Sequence, residues 1–164
     1  MKKIYALSRL KTLIQTEKNR GKRIVLANGC FDLIHIGHIR YLRKAKQKGD
    51  VLVLALNSDS SVHKLKGEGR PILDQRERVE ILSAFYLVDY LTIFSENNVE
   101  KILLALKPDI HAKGSDYTKE TVPEKETVKS YGGSIAIVGG EKVNSTSQII
   151  ERIVSKEKRS YLGS

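Results

Sequence analysis

The apolar residues of this chain alternate between two rhythms. Leu7, Leu10, Leu13 and Ile14 recur at helical spacing among lysines and arginines, which predicts a lead-in helix over residues 6–20 that Gly21 ends. Residues 23–27 form a short, nearly unbroken apolar run, as in a central strand of a parallel sheet. Ile39, Leu42 and Ala45 mark a second helix ending near Gly49-Asp50, and residues 51–56 are a second, fully apolar strand. From Asn57 to Pro71 the period disappears among small and polar residues, which predicts a long loop. Asp74 opens a helix with Glu77 at capping-box spacing and Val79, Leu82, Phe85 and Tyr86 facing inward. A strand over 88–94 follows, then a helix capped by Ser95 with Val99, Ile102, Leu103 and Leu106 on one face and Pro108 as its stop. A strand at 109–112, a polar loop at 113–121, a helix at 122–131, a strand at 134–138 and a helix at 145–155 complete the pattern. The expected fold is α/β, a Rossmann-like five-stranded parallel sheet with helices on both faces, in one domain spanning residues 1–164. Ligands of such sheets bind beyond the carboxyl ends of the strands, where residues 28–38 and both long loops begin.

Composition narrows the function classes. With 40% apolar and 29% charged residues in 164, the chain has the make-up of a soluble domain, and no apolar run approaches the roughly 20 residues of a spanning helix. No signal-peptide core follows the first lysines, and the lone Cys30 fits a reducing cytoplasm. The net charge of +10 is concentrated at the ends: residues 1–23 carry +7 and residues 156–164 carry +2, leaving about +1 between them. A basic lead-in helix (1–22) and a basic tail (156–164) do not make a folded phosphate-tracking groove, so nucleic acid is not the expected partner.

The candidate chemistry lies in Asn28-Gly29-Cys30-Phe31-Asp32-Leu33-Ile34-His35-Ile36-Gly37-His38. Two histidines flanking a glycine, where a turn becomes a helix, suit a phosphate. First-turn N–H groups attract anions, Gly37 permits close approach, and His35 and His38 donate to phosphate oxygens. A zinc site lacks an evident third ligand, with only His63, His111 and Cys30 left over, so no resident metal is expected. Residues 58–71 read as a mobile arm whose Lys64, Lys66 and Arg70 fold over a bound phosphate, the alternative being a solvated surface loop. Ser145 with Gln148 makes a capping box, and a capped helix start is also an anion site.

Residues 28–38 resemble the signature of the cytidylyltransferase-like nucleotidyltransferases, whose His-x-Gly-His element is shared with class I aminoacyl-tRNA synthetases. A synthetase does not fit this length. Leu65-Lys66-Gly67-Glu68-Gly69-Arg70-Pro71, followed by Gln75-Arg76, is similar to the adenylyltransferases of bacterial heptose activation. Lys113-Gly114-Ser115-Asp116-Tyr117, Tyr131-Gly132-Gly133 and Ser145-Thr146-Ser147-Gln148-Ile149-Ile150 resemble further elements of that family, so the likeness runs from about Ile24 to Ile153. It implies transfer of AMP from ATP, with Mg²⁺, to a heptose 1-phosphate, releasing pyrophosphate and giving ADP-heptose for lipopolysaccharide or other surface-glycan precursors. It implies His35, His38 and Lys66 as catalytic residues and Asn28, Gly29, Cys30, Phe31, Gly37, Lys113, Gly114, Asp116, Ser145, Thr146 and Ser147 around the nucleotide. Asp32, Lys64, Arg70 and Arg76 would serve the substrate phosphate, and a homodimer is expected by the same likeness. Where some relatives carry an arginine before the Ser-Thr element, this chain has Gly140-Glu141-Lys142-Val143-Asn144, with Lys142 as the substitute. A sugar kinase fused to this domain in many heptose enzymes would here be a separate protein. The alternatives are a cytidylyl- or adenylyltransferase for another phosphorylated alcohol, such as glycerol 3-phosphate, and a non-catalytic nucleotide- or nucleic-acid-binding module.

Overall fold

The computed structural model describes residues 3–140 and 145–162, the last five by their helical backbone alone. In chain order the elements are α1 (Leu7–Asn19), β1 (Ile24–Gly29), α2 (Ile36–Lys46), β2 (Val51–Asn57), α3 (Asp59–Lys66) and α4 (Gln75–Ala84). β3 (Tyr90–Phe94), α5 (Glu100–Leu106), β4 (Ile110–Lys113), α6 (Lys125–Ser130), β5 (Ser134–Ile137) and α7 (Thr146–Leu162) follow. All strand pairs are parallel and the sheet order is β3-β2-β1-β4-β5, which is the expected Rossmann-like arrangement. The chain lays β2 and β3 on one side of β1 and then crosses to place β4 and β5 on the other. The carboxyl ends of β1 and β4 therefore flank a switch point, where the loops that follow them diverge and open a crevice.

Successive side chains of a strand point to opposite faces, so each central strand feeds two cores. Val25 and Ala27 pack with Leu42, Ala45 and Leu82 under α2 and α4; Ile24 and Leu26 pack with Leu10, Ile14, Ile102 and Leu103 under α1 and α5. Burial on both faces explains the unbroken apolar runs of β1 and β2. The edge of β3 is covered by residues 3–5, through Leu91 N–H to the Lys3 carbonyl (2.8 Å) and Tyr5 N–H to the Leu91 carbonyl (2.9 Å).

Local structure departs from the pattern in four places. The expected loop from Asn57 to Pro71 contains α3. Ser58 caps it by accepting the Ser61 N–H at 3.2 Å, Asp59 opens it, Lys64 and Lys66 sit in its last turn, and Gly67 ends it at φ +88°. The apolar period is missing because this helix buries one hydrophobic side chain, Val62, while Leu65 is 54% exposed. Ser95 does not cap α5, which begins at Glu100 beside Asn98 Oδ1. Tyr86 lies beyond α4, is 80% exposed, and does not share the buried face of Leu82. The last helix runs on to Leu162, and residues 151–157 are exposed. The expected capping box of α4 is present, with Asp74 Oδ1 accepting from Arg76 and Glu77 N–H and Glu77 accepting from Asp74 N–H.

Candidate active site

The strand β1 ends in a turn that packs on itself. Phe31 adopts φ +47° and lays its ring over Gly29, where a Cβ would lie 2.8 Å from Phe31 Cε2. The ring also stands 4.9 Å from that of His38, so Gly29 is needed for the packing behind the histidine. His35 is the N-cap of α2 and its Nδ1 accepts the Gly37 N–H at 3.1 Å, while His38 Nδ1 accepts the His35 N–H at 3.4 Å. The two rings stack with centres 3.8 Å apart. With each Nδ1 committed as an acceptor, the neutral tautomer of each ring carries its proton on Nε2. Burial lowers the pKa of His35; burial first, and then His35, push His38 down to about 4 against the opposing charge of Asp32. The pair therefore presents neutral N–H donors beside the amides of a helix start.

Asp32, 1% exposed, does not stand free to meet a phosphate. Its carboxylate accepts from Arg70 Nε at 2.6 Å and from the N–H groups of Ile72 and Leu73 at 2.8 and 3.0 Å. It anchors the segment after α3 to the β1–α2 turn, which brings Lys66 and Arg70 to one wall of the crevice. Behind that wall lies Arg78, fully buried in the first half of α4. It donates to the carbonyls of Cys30 (2.6 Å), Asn57 (2.9 Å) and Leu73 (3.1 Å), and its Nη2 meets Asp59 Oδ1 at 2.7 Å.

The opposite wall comes from residues 113–117 after β4, residues 138–140 after β5, and the start of α7. Ser145 and Gln148 exchange the reciprocal bonds of a capping box (2.8 and 3.2 Å), and Thr146 Oγ1 reaches the Leu33 carbonyl at 3.4 Å, docking α7 on the histidine turn. Tyr41, half-buried and with its pKa raised by desolvation, donates to the Ala112 carbonyl at 2.9 Å and ties α2 to β4.

Together these walls enclose a cleft of about 490 Å³ lined by Asn28, Gly29, Cys30, Phe31, Asp32, His35, Gly37, His38, Lys66, Arg70, Lys113, Gly114, Asp116, Ser145, Thr146 and Ser147. Two of the expected residues are elsewhere: Lys64 lies exposed on α3 and Arg76 exposed at the start of α4, and neither lines the cleft. Lys142 lies outside the described residues. The cleft adds Arg40 and Tyr41 from α2 and Asn57 from the end of β2, together with Ser115 and Tyr117, which lie within the Lys113–Tyr117 motif but were not assigned to the site. Arg78 had a signal of its own: an arginine four residues before Leu82 on the inner face of α4 asks for buried acceptors. Among the described residues no group of three or more His, Cys, Asp or Glu is arranged to hold a metal, and no helix is long and apolar enough to cross a membrane.

Residues 26–159 match the cytidylyltransferase-like family. Among curated proteins, the chain is 52% identical over 147 residues to the bifunctional protein HldE of Pelobacter propionicus, covering 90% of this chain and 30% of that protein. It is 51% identical over 152 residues to HldE of Geobacter metallireducens, covering 93% and 31%. The chain thus spans about a third of the length of these relatives. Among solved structures, the lipopolysaccharide core biosynthesis protein of Thermoplasma volcanium superposes with a TM-score of 0.62 at 30% identity, over 74% of this chain and 100% of that one. With the sheet order, the histidine turn and the capped α7 in agreement, the chain belongs to the cytidylyltransferase-like family of nucleotidyltransferases.

Proposed function

We propose that this protein transfers AMP from ATP to a heptose 1-phosphate, giving ADP-heptose and pyrophosphate. The observation that carries the reading is the pairing across one cleft of a neutral histidine turn with a cationic segment, Lys66 and Arg70, anchored by Asp32. A phosphate oxygen of the sugar attacks the α-phosphorus; the new O–P bond forms as the bond from the α-phosphorus to the bridging oxygen of the pyrophosphate breaks, and that oxygen leaves carrying the electron pair. The phosphate monoester is already anionic, so no general base is needed. Positioning and neutralisation of charge do the work. His35 and His38 donate through Nε2 to the triphosphate, and Lys66 and Arg70 neutralise the approaching phosphate. Asn28, the segment from Lys113 to Asp116 and the Ser145–Ser147 helix start serve the nucleotide. Mg²⁺ fits here as a partner of the triphosphate: both Asp32 oxygens are already bonded within the protein, and among the described residues no group of three or more His, Cys, Asp or Glu is arranged to hold a metal. When bound, the ion supplies further charge neutralisation on the phosphates.

The choice of heptose rests on residues 65–71, which are similar to the heptose adenylyltransferases, and is supported by the likeness to a lipopolysaccharide core biosynthesis protein. A reducing cytoplasm suits the free Cys30 at the cleft. The test measures pyrophosphate release from ATP and from CTP against a panel of sugar 1-phosphates and phosphoalcohols. Release with ATP and heptose 1-phosphate above all other pairs is expected. Preference for CTP with glycerol 3-phosphate would overturn the heptose reading, and silence with every pair would leave a nucleotide-binding module.

A further inference from the structure

At the α7-side wall of the cleft lies a buried charged cluster of which the proposed reaction uses only Lys113. Lys113 ends β4 and is 7% exposed; its Nζ lies 3.4 Å from Glu124 Oε2 and 4.6 Å from the centre of the Tyr117 ring. Glu124, just before α6, is 4% exposed. His111 is fully buried, and its Nε2 stands 3.7 Å from the same Glu124 oxygen. His111 and Lys113 are two residues apart on one strand, so both project from the same face of β4. One carboxylate oxygen is therefore flanked by an imidazole deep in the sheet and an ammonium at the cleft. Burial pushes the Glu124 pKa up, but the neighbouring His111 imidazole and the charge of Lys113 outweigh it and hold the group at about 2.

Such a cluster is a poor means of gaining stability, since desolvating the ions cancels much of their attraction and apolar replacements of a buried pair are often as stable. Its placement has a clearer use. Lys113 lines the cleft, whereas Glu124 and His111 stand behind it. A lysine on a surface loop must surrender rotamer freedom to meet a ligand; one held between a carboxylate and a tyrosine ring has already done so. We infer that Glu124 is a positioning residue, which holds the Lys113 ammonium at the cleft wall for the phosphates of a bound nucleotide.

This role rests on the nucleotidyl-transfer reading, and a double-mutant cycle tests it. The affinity for ATP is measured by calorimetry, and turnover alongside it, for wild type, Glu124→Gln, Lys113→Met and the double variant. Each single change is expected to raise the Kd for ATP about tenfold, the scale of one charge-assisted hydrogen bond, with kcat changing less than about threefold. The double variant should bind no worse than the weaker single one, because both changes remove the same cation from its place. Additive losses, or wild-type affinity in a folded Glu124→Gln protein, would overturn the role. Should that variant fail to fold, two others decide. Glu124→Asp, which keeps the charge but withdraws it, is expected to bind ATP with intermediate affinity. The apolar pair Lys113→Met with Glu124→Met is expected to fold and to bind like Lys113→Met alone. Undiminished affinity in either overturns the role as well. A wild-type chain that does not bind ATP sinks the transfer reading itself and this role with it, whereas normal wild-type binding with an unaffected Glu124 variant sinks the positioning role alone.

Discussion

In the proposed reaction His38 would meet the triphosphate as a neutral donor. Its Nδ1 is taken by a backbone amide and its ring is packed between His35 and Phe31, so desolvation keeps the charge off the ring until about pH 4. A neutral Nε2–H adds little to ground-state binding and gains strength as charge builds on the leaving phosphate. His38→Ala is therefore expected to lower kcat by about 10²–10³ while the Kd for ATP changes much less. Steady-state kinetics with circular dichroism to confirm folding make the check, and near-normal turnover in the folded variant would remove the histidine turn from the mechanism.

At the scale of elements, Arg78 on α4 supports the cleft from behind its wall without lining it. One guanidinium joins the end of β1, the end of β2, the segment before α4 and the first residue of α3. α3 buries little apolar surface of its own, so its place is set by its caps and by this clamp. Arg78→Met leaves three backbone carbonyls without their donor. It is expected to cost about 3 kcal/mol or more of folding stability, read from urea denaturation, with Arg76→Met at the exposed start of α4 within about 0.5 kcal/mol of wild type. Equal effects of the two changes would mean that the carbonyls find other partners and that the clamp does not organise the cleft.

Across the whole molecule, the half-buried His38 and the buried Glu124 make stability fall with acid in adjoining windows. In the unfolded chain His38 takes up its proton near pH 6.5, while the folded ring resists until about 4. The unfolded state therefore binds more protons between those values, and stability drops as pH falls from about 6.5 to about 4. Glu124 acts lower down: its stabilising charge is present above about pH 4.5 and is lost as pH falls towards about 2. Urea denaturation at stepped pH should show both losses, and His38→Gln, which cannot be protonated, should flatten the upper window and leave the lower one. An unchanged upper window in that variant would mean that His38 titrates alike in the folded and unfolded chain.

Period and punctuation alone determined the order of the strands and of every helix but α3, because a parallel sheet buried on both faces demands unbroken apolar strands and amphipathic helices between them. The histidine turn and the α7 start were legible for the same local reason, each being a contiguous motif at the end of an element. α3 was not legible, since it has almost no apolar stripe; its caps at Ser58 and Gly67 are what define it. Nor could motif reading separate Arg70, which reaches the cleft, from Lys64 and Arg76, which do not, because that depends on which way each backbone turns after folding. Arg70 lies 38 residues from Asp32, Cys30 lies 48 from Arg78 and Lys113 lies 11 from Glu124, each partner on a different segment. Such pairings exist only once the loops have folded over the carboxyl ends of the strands, and the bonds of Tyr41 to Ala112 and of Thr146 to Leu33 need, in addition, the crossover from β3 to β4. The sequence by itself settled what kind of surface each segment presents; only the tertiary structure decided which of those surfaces face one another across the cleft.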